Sequence, residues 1–298
     1  MPSSRTSGSE PSTRFDVSGP IDLEVTAGVA LVDVVASDRL DAVVEIVPSR
    51  PGRGGDESLA RESTVSYDGG RVRVRVPRRR SLFGKADSVD VHCEVPTGSR
   101  VTIENAYGSV RTHGSLGDSR IVAKYGGVTA ETVGNLVLEV PYGSADIAEV
   151  TGRLDATAGH GVLRVGHVHG DVRLRASYGT IDLGTVDGAV EVTTSGALII
   201  GQARGDVTAR SAHGPICIRE VNGGTIRLNN GYADIDVGVP SGIGAWIDAS
   251  SAHGRVRNEL TPDPAAAASD RTVELHLHAN YGNVTIRRAP SDRKESPT

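Results

Sequence analysis

From Ile21 onward apolar and polar residues alternate with period two, the spacing of half-buried strands rather than of amphipathic helices. Ile21, Leu23 and Val25, then Val32 and Val34, then Val43 and Ile46 predict short strands with turns at Gly28 and Asp38. Residues 49–58, Ser-Arg-Pro-Gly-Arg-Gly-Gly-Asp-Glu-Ser, read as a loop because Pro and Gly interrupt the alternation. Strands resume over Thr64–Tyr67, Arg71–Val76, Ser88–Val95 and Arg100–Glu104, the last two joined by a Pro-Thr-Gly-Ser turn.

From Tyr107 the alternation becomes a repeat. Tyr107, Tyr125, Tyr142, His160, Tyr178, Ser195, His213 and Tyr232 occupy one recurring slot at steps of 17 to 19 residues, and His253 and Tyr281 continue it at looser spacing. Gly117, Gly134, Gly152, Gly170, Gly188, Gly205 and Gly224 fall about midway between them, dividing each unit into halves of about nine residues. In the copy Gly170–Asp187, Val172 and Leu174, then Ile181 and Leu183, point one way, while Arg173, Arg175 and Asp182 point the other. Each half is one strand and one turn. Such a strand pair cannot bury its own apolar face, whereas stacked copies form two sheets around a thin continuous core.

The fold expected is therefore all-β: a single-stranded β-solenoid with two short strands per coil of about 18 residues, two facing sheets and irregular β caps at both ends. A helical reading fails because glycine costs about 1 kcal/mol at each helix-interior position. The nine-residue half-period argues against the left-handed hexapeptide helix, and right-handed winding is the default. Seven to eight regular coils would give a rod of roughly 35–40 Å before the caps. The expected organisation is a disordered tail over 1–13, an N-terminal β cap over 14–106, regular repeats over 107–240, a C-terminal β cap over 241–289 and a second disordered tail over 290–298.

Composition narrows the picture. With 3% aromatic residues and 38% hydrophobic residues, the core must be built from Val, Ile, Leu and Ala. A formal net charge of -5 carries no global basic footprint, so nucleic acid is not an expected partner. Met1–Pro20 has no apolar segment of signal-peptide type and no run of eighteen apolar residues occurs, so neither a signal peptide nor a transmembrane helix is expected, and the location read from this is cytoplasmic. Cys93 is expected to point inward and Cys217 outward, both as free thiols.

The Gly-x-Val-x-Val units and the Val-Pro-x-Gly-Ser turn at Val95–Ser99 resemble the bacterial "putative adhesin" family, the DUF4097 β-strand-repeat proteins, over about Phe15–Ala289. The segments from Ser211, Gly254 and Tyr281 are similar to its actinobacterial branch. The resemblance implies a repetitive β fold, no catalytic residues and a surface location. Many members carry Ser-Gly or Thr-Gly at the repeat turn, where this chain carries mostly Tyr-Gly or His-Gly.

The slot itself is the first candidate site. Tyr107, Tyr125, Tyr142, His160, Tyr178, His213, Tyr232, His253 and Tyr281 are expected to form a ladder along one edge, either as a structural stack that fixes register or as a strip that binds a sugar, a protein surface or another flat ligand. His160, His213 and His253 are too far apart to share an ion, and the i, i+2 pairs His167/His169 and His276/His278 lack a matching third ligand in the sequence, so no metal and no cofactor is expected. Asp118, Asp171 and Asp206 form no continuous carboxylate ladder of the calcium β-roll type, since Asn135, Arg153, Ala189 and Thr225 interrupt them.

The outward column Arg111, Thr129, Asp146, Arg164, Asp182 and the column Asp155, Arg173, Glu191 read as stacked opposite charges rather than catalytic carboxylate pairs. Arg71, Arg73, Arg75, Arg78, Arg79 and Arg80 form a candidate basic patch, read either as a solvated edge that blocks strand pairing or as a contact for phosphates. The leading expectation is a non-catalytic interaction or scaffold protein, monomeric or stacked end to end. The alternatives are a carbohydrate-active or metal-dependent hydrolase on a β-helix, and a cytoplasmic regulatory protein docking on membrane phosphates through Arg71–Arg80.

Overall fold

The computed structural model describes residues 12–79, 86–262 and 271–289. Both expected tails lie largely outside these residues, although Ser12–Asp16 forms a strand antiparallel to Asp41–Pro48. The alternating pattern folds as anticipated, into a β-solenoid whose coils each place one strand on either of two faces.

On one face the strands follow in the spatial order Arg71–Arg75, Asp22–Ser37, Arg100–Tyr107, Ser119–Tyr125, Leu136–Tyr142, Leu154–His160, Val172–Ala176, Val190–Thr194, Val207–Ser211, Gly224–Asn230, Thr272–Ala279 and Gly244–Ser251, all parallel. The other face is built in the same way, running from Val89–Pro96 through the second half of Asp22–Ser37 to Val284–Arg288 and Val256–Asn258. Parallel stacking thus extends on both sides of 107–240, and eleven steps of about 4.8 Å give a rod of roughly 50 Å.

Register makes the core. On the first face Ile103, Ile121, Leu138, Ala156, Leu174, Val192, Ala209 and Leu228 lie directly over one another. On the second, Ala130, Ile147, Val165, Leu183, Ile200, Ile218 and Val237 do the same. All of these are buried. The columns mix Leu and Ile with smaller Ala and Val, so a thin space is filled without aromatic side chains.

Two local expectations are corrected. Gly28 does not end a strand: Asp22–Ser37 runs through it without a break and passes from one face to the other. Residues 49–58 do not form only a loop, because Gly54–Glu62 is an α-helix. Two glycines open it, and no side chain caps its N-terminus. It is held instead by tertiary contacts: Leu59 is buried, and fully buried Asp56 accepts hydrogen bonds from Arg50 Nε at 2.7 Å, Arg50 Nη2 at 2.9 Å and the Ser88 N–H at 3.0 Å. Those bonds hold the Asp56 carboxyl below the usual carboxylate range, against the opposing effect of desolvation.

At the two ends the order of the coils in space departs from their order in the chain. Asp22–Ser37 lies between the strands Arg71–Arg75 and Val89–Pro96 on one side and Arg100–Leu116 on the other, and Thr272–Arg288 lies between Gly224–Val239 and Gly244–Asn258. At each end, a segment nearer the middle of the chain is therefore the outermost coil. The N-terminal end is further covered by Thr64–Asp68 and Asp41–Pro48, both antiparallel.

Candidate functional site

The aromatic slot lies at the corner where each coil passes from one face to the other. Except at Tyr232, which Ala233 follows, its residue is followed by glycine, because consecutive corners stack without room for a side chain. Gly126, Gly143, Gly161 and Gly179 have φ values of +153°, +156°, +133° and +117°, and a Cβ on any of them would overlap the carbonyl oxygen of the corner glycine one coil earlier. The preceding side chain is thereby turned outward.

The nine predicted ladder residues do come together. Ring centroids are 4.8 Å apart for Tyr107–Tyr125, 4.9 Å for Tyr125–Tyr142, 5.6 Å for Tyr142–His160 and 5.6 Å for His160–Tyr178. They are 5.2 Å apart for His213–Tyr232, 5.3 Å for Tyr232–Tyr281 and 4.4 Å for Tyr281–His253. Interplanar angles run from 3° to 21°, so the rings lie nearly parallel. The tyrosines remain exposed, from 46% at Tyr125 to 60% at Tyr232. Stacking covers ring faces, so the ladder presents its edges and hydroxyls to solvent. It has one interruption. At Ser195 no ring separates Tyr178 from His213, which stand two coils, or about 10 Å, apart. Beneath Tyr107 the slot is taken by Val29, which ends the ladder there.

The basic run is dispersed by its partners. Arg71 pairs with Asp22 at 3.4 Å and Glu24 at 3.3 Å, Arg73 with Glu24 at 3.0 Å, and Arg79 with Glu62 and with Asp87 at 3.4 Å. Arg75 and Arg78 are exposed, and Arg80 lies outside the described residues. Nor is this strand a sheet edge, since Arg71–Arg75 is flanked by Thr64–Asp68 on one side and Asp22–Thr26 on the other.

The outward charges stack as the columns predict. Arg164 lies between Asp146 at 3.4 Å and Asp182 at 3.7 Å, and Arg173 pairs with Glu191 at 3.0 Å. Asp155 pairs instead with Arg153 on its own coil, at 3.7 Å. The interrupted aspartate series has a different use: Oδ1 of Asp118, Asp171 and Asp206 accepts the N–H of Asn135, Ala189 and Thr225 respectively, the equivalent residue one coil further on. Cys93 and Cys217 are free thiols, the first buried and the second half-buried. Among the described residues no helix is long and apolar enough to cross a membrane.

One grouping was missed in the sequence. His167 and His169 lie with ring centroids 4.0 Å apart, and carboxylates from the coils on either side reach them. Glu149 stands in register with His167, and Asp187 belongs to the next coil in the other direction. The signal was present in the 18-residue step: Glu149 is one coil before His167, and Asp187 one coil after His169.

No family model and no curated protein matches the chain. Among solved structures it is similar to a "putative adhesin" from Bacteroides fragilis at 11% identity and a TM-score of 0.37, covering 94% of this chain and 100% of that one. A "putative adhesin" from Parabacteroides merdae is matched at 12% identity and a TM-score of 0.28, over 92% and 95% of the two chains. A "putative cell adhesion protein" from Clostridium sporogenes is matched at 11% identity and a TM-score of 0.22, over 93% and 98%.

Proposed function

We propose that this chain is a non-catalytic β-solenoid of adhesin type that docks an extended protein or carbohydrate surface along its Tyr/His edge. The observation that carries the reading is the exposure of the ladder. Core packing is complete without these rings, because the columns of Val, Ile, Leu and Ala fill the interior. An outward strip of tyrosine edges and hydroxyls offers both apolar contact and hydrogen bonding at low conformational cost, the chemistry that interfaces favour. The interruption at Ser195 adds a notch between the planes of Tyr178 and His213. Bond-making chemistry is not part of the proposal, since Asp146, Asp182 and Glu191 are each engaged by an arginine.

The test is affinity capture from the native host with the full chain, with Tyr107, Tyr125, Tyr142 and Tyr178 changed together to Ser, and separately to Phe. Loss of a captured partner by the Ser variant, with circular dichroism unchanged, is the expected result. Unchanged capture by a folded Ser variant would overturn the reading. The Phe variant retains the stack and removes the hydroxyls; if the Ser variant fails to fold, undiminished capture by the Phe variant at every salt concentration would count against a polar role for the edge.

A further inference from the structure

We propose that Glu149, His167 and His169 form a binding site for a zinc-class divalent cation on the outer surface of the solenoid. The chain builds this site from two coils. His167 is the next-to-last residue of the strand Val162–Val168, on the same outward side as His169, which begins the next turn, and Glu149 occupies the register position beside His167. One ligand atom from each of the three lies within 4.8 Å of the other two, and among the described residues no other set of three metal-ligating side chains converges so closely. His169 Nε2 is already 2.8 Å from Glu149 Oε1. A tetrahedral ion with bonds of about 2.0–2.1 Å needs neighbouring ligands about 3.3 Å apart, a separation reached here by rotation of side chains that are one-third exposed.

The outer contacts match those of a metal site. Asp187 Oδ2 lies 3.3 Å from His169 Nδ1, the nitrogen opposite the one facing Glu149, and 2.9 Å from His167 Nε2. A carboxylate on the far nitrogen of an imidazole fixes the tautomer that leaves the near nitrogen free to bind. The second oxygen of each acid is also held. Arg204 Nη1 donates to Asp187 Oδ1 at 2.8 Å, and Thr132 Oγ1 donates to Glu149 Oε2 at 3.4 Å. Two imidazoles and one carboxylate suit zinc, nickel or copper(II) and are poor for calcium or magnesium, which require oxygen ligands.

The other histidine pair serves as an internal control. His276 lies 3.6 Å from Asp248, whereas His278 is engaged by the Ser250 hydroxyl at 2.9 Å, so no carboxylate is shared between them.

Calorimetric titration of the chelator-treated full chain with zinc chloride tests the site. One zinc ion per chain is expected, with no heat from magnesium or calcium chloride. H167A/H169A should abolish binding and H276A/H278A should leave it unchanged. E149Q retains both imidazoles yet should weaken binding by at least about tenfold, and D187N by about 10- to 100-fold. Zinc should also raise the unfolding midpoint of the wild type and not that of H167A/H169A. Absence of zinc binding by the wild type, or binding of equal strength in E149Q or in a folded H167A/H169A variant, would overturn the proposal.

Discussion

Tyr281 stacks on Tyr232 with ring centroids 5.3 Å apart and planes 3° apart, although His253 lies between them in sequence; His253 stacks instead on the opposite face of Tyr281. The aromatic ladder thus records that the last coil of the chain is inserted beneath the preceding one. Thr272–Ala279 hydrogen-bonds to Gly224–Asn230 on one side and Gly244–Ser251 on the other, so the outermost coil depends on residues that follow it in the chain.

This arrangement predicts local unfolding at one end. Leu275 is fully buried in the inserted coil, and Leu275→Ala should cost about 2–5 kcal/mol. Because stability in a solenoid is carried by nearest neighbours, the loss should be felt first by the outer coil. Trp246, the single tryptophan, lies there. Its fluorescence transition in urea should move to lower denaturant ahead of the far-ultraviolet circular dichroism transition; coincident transitions would refute a local effect.

A methyl group at one stacked corner should be costly. Gly161 combines φ of +133° with a Cβ position that overlaps the Gly143 carbonyl oxygen, so Gly161→Ala should lose at least about 1–3 kcal/mol. Gly19 has open space around it, and Gly19→Ala should stay within about 0.5 kcal/mol of the wild type. Chemical denaturation of both variants checks the contrast.

Acid should weaken the helix-bearing end. Asp56 titrates below its unfolded value because it accepts hydrogen bonds from Arg50 and the Ser88 N–H. A depressed carboxylate contributes stability that is complete above its unfolded pKa of about 3.9 and is lost as pH falls through the lower folded value. Asp56→Asn should cost about 1–3 kcal/mol at neutral pH and flatten the decline of stability below about pH 4. A pH series of urea midpoints for both proteins measures this, and parallel curves would exclude Asp56 as a contributor.

The two thiols should differ in reactivity. Burial pushes the Cys93 thiol up to about 12, and burial also raises that of half-buried Cys217. Since the thiolate is the reactive form, a thiol reagent at pH 8 should leave Cys93 unmodified in the native protein, react slowly at Cys217, and titrate both after denaturation. Fast modification of Cys93 in the native state would show that its coil opens readily.

The amino-acid sequence by itself determined the repeat: strand alternation, corner glycines, core columns and the nine ladder residues all follow from positions i, i+2 and one coil on, which strand geometry carries directly into space. Stacked opposite charges such as Asp146, Arg164 and Asp182 were legible for the same reason. Only the tertiary structure decided features that depend on which edge meets which. Every coil offers much the same row of N–H and C=O groups, so alternation cannot say that Thr272–Arg288 inserts under Gly244–Asn258, or that Arg71–Arg75 is covered on both sides. The helix Gly54–Glu62 was hidden because two glycines and an uncapped N-terminus oppose it locally, while burial of Leu59 and bonds from Arg50 and Ser88 outside the helix stabilise it. Glu149 and Asp187 escaped notice because each is unremarkable within its own coil, and only parallel register brings them to His167 and His169.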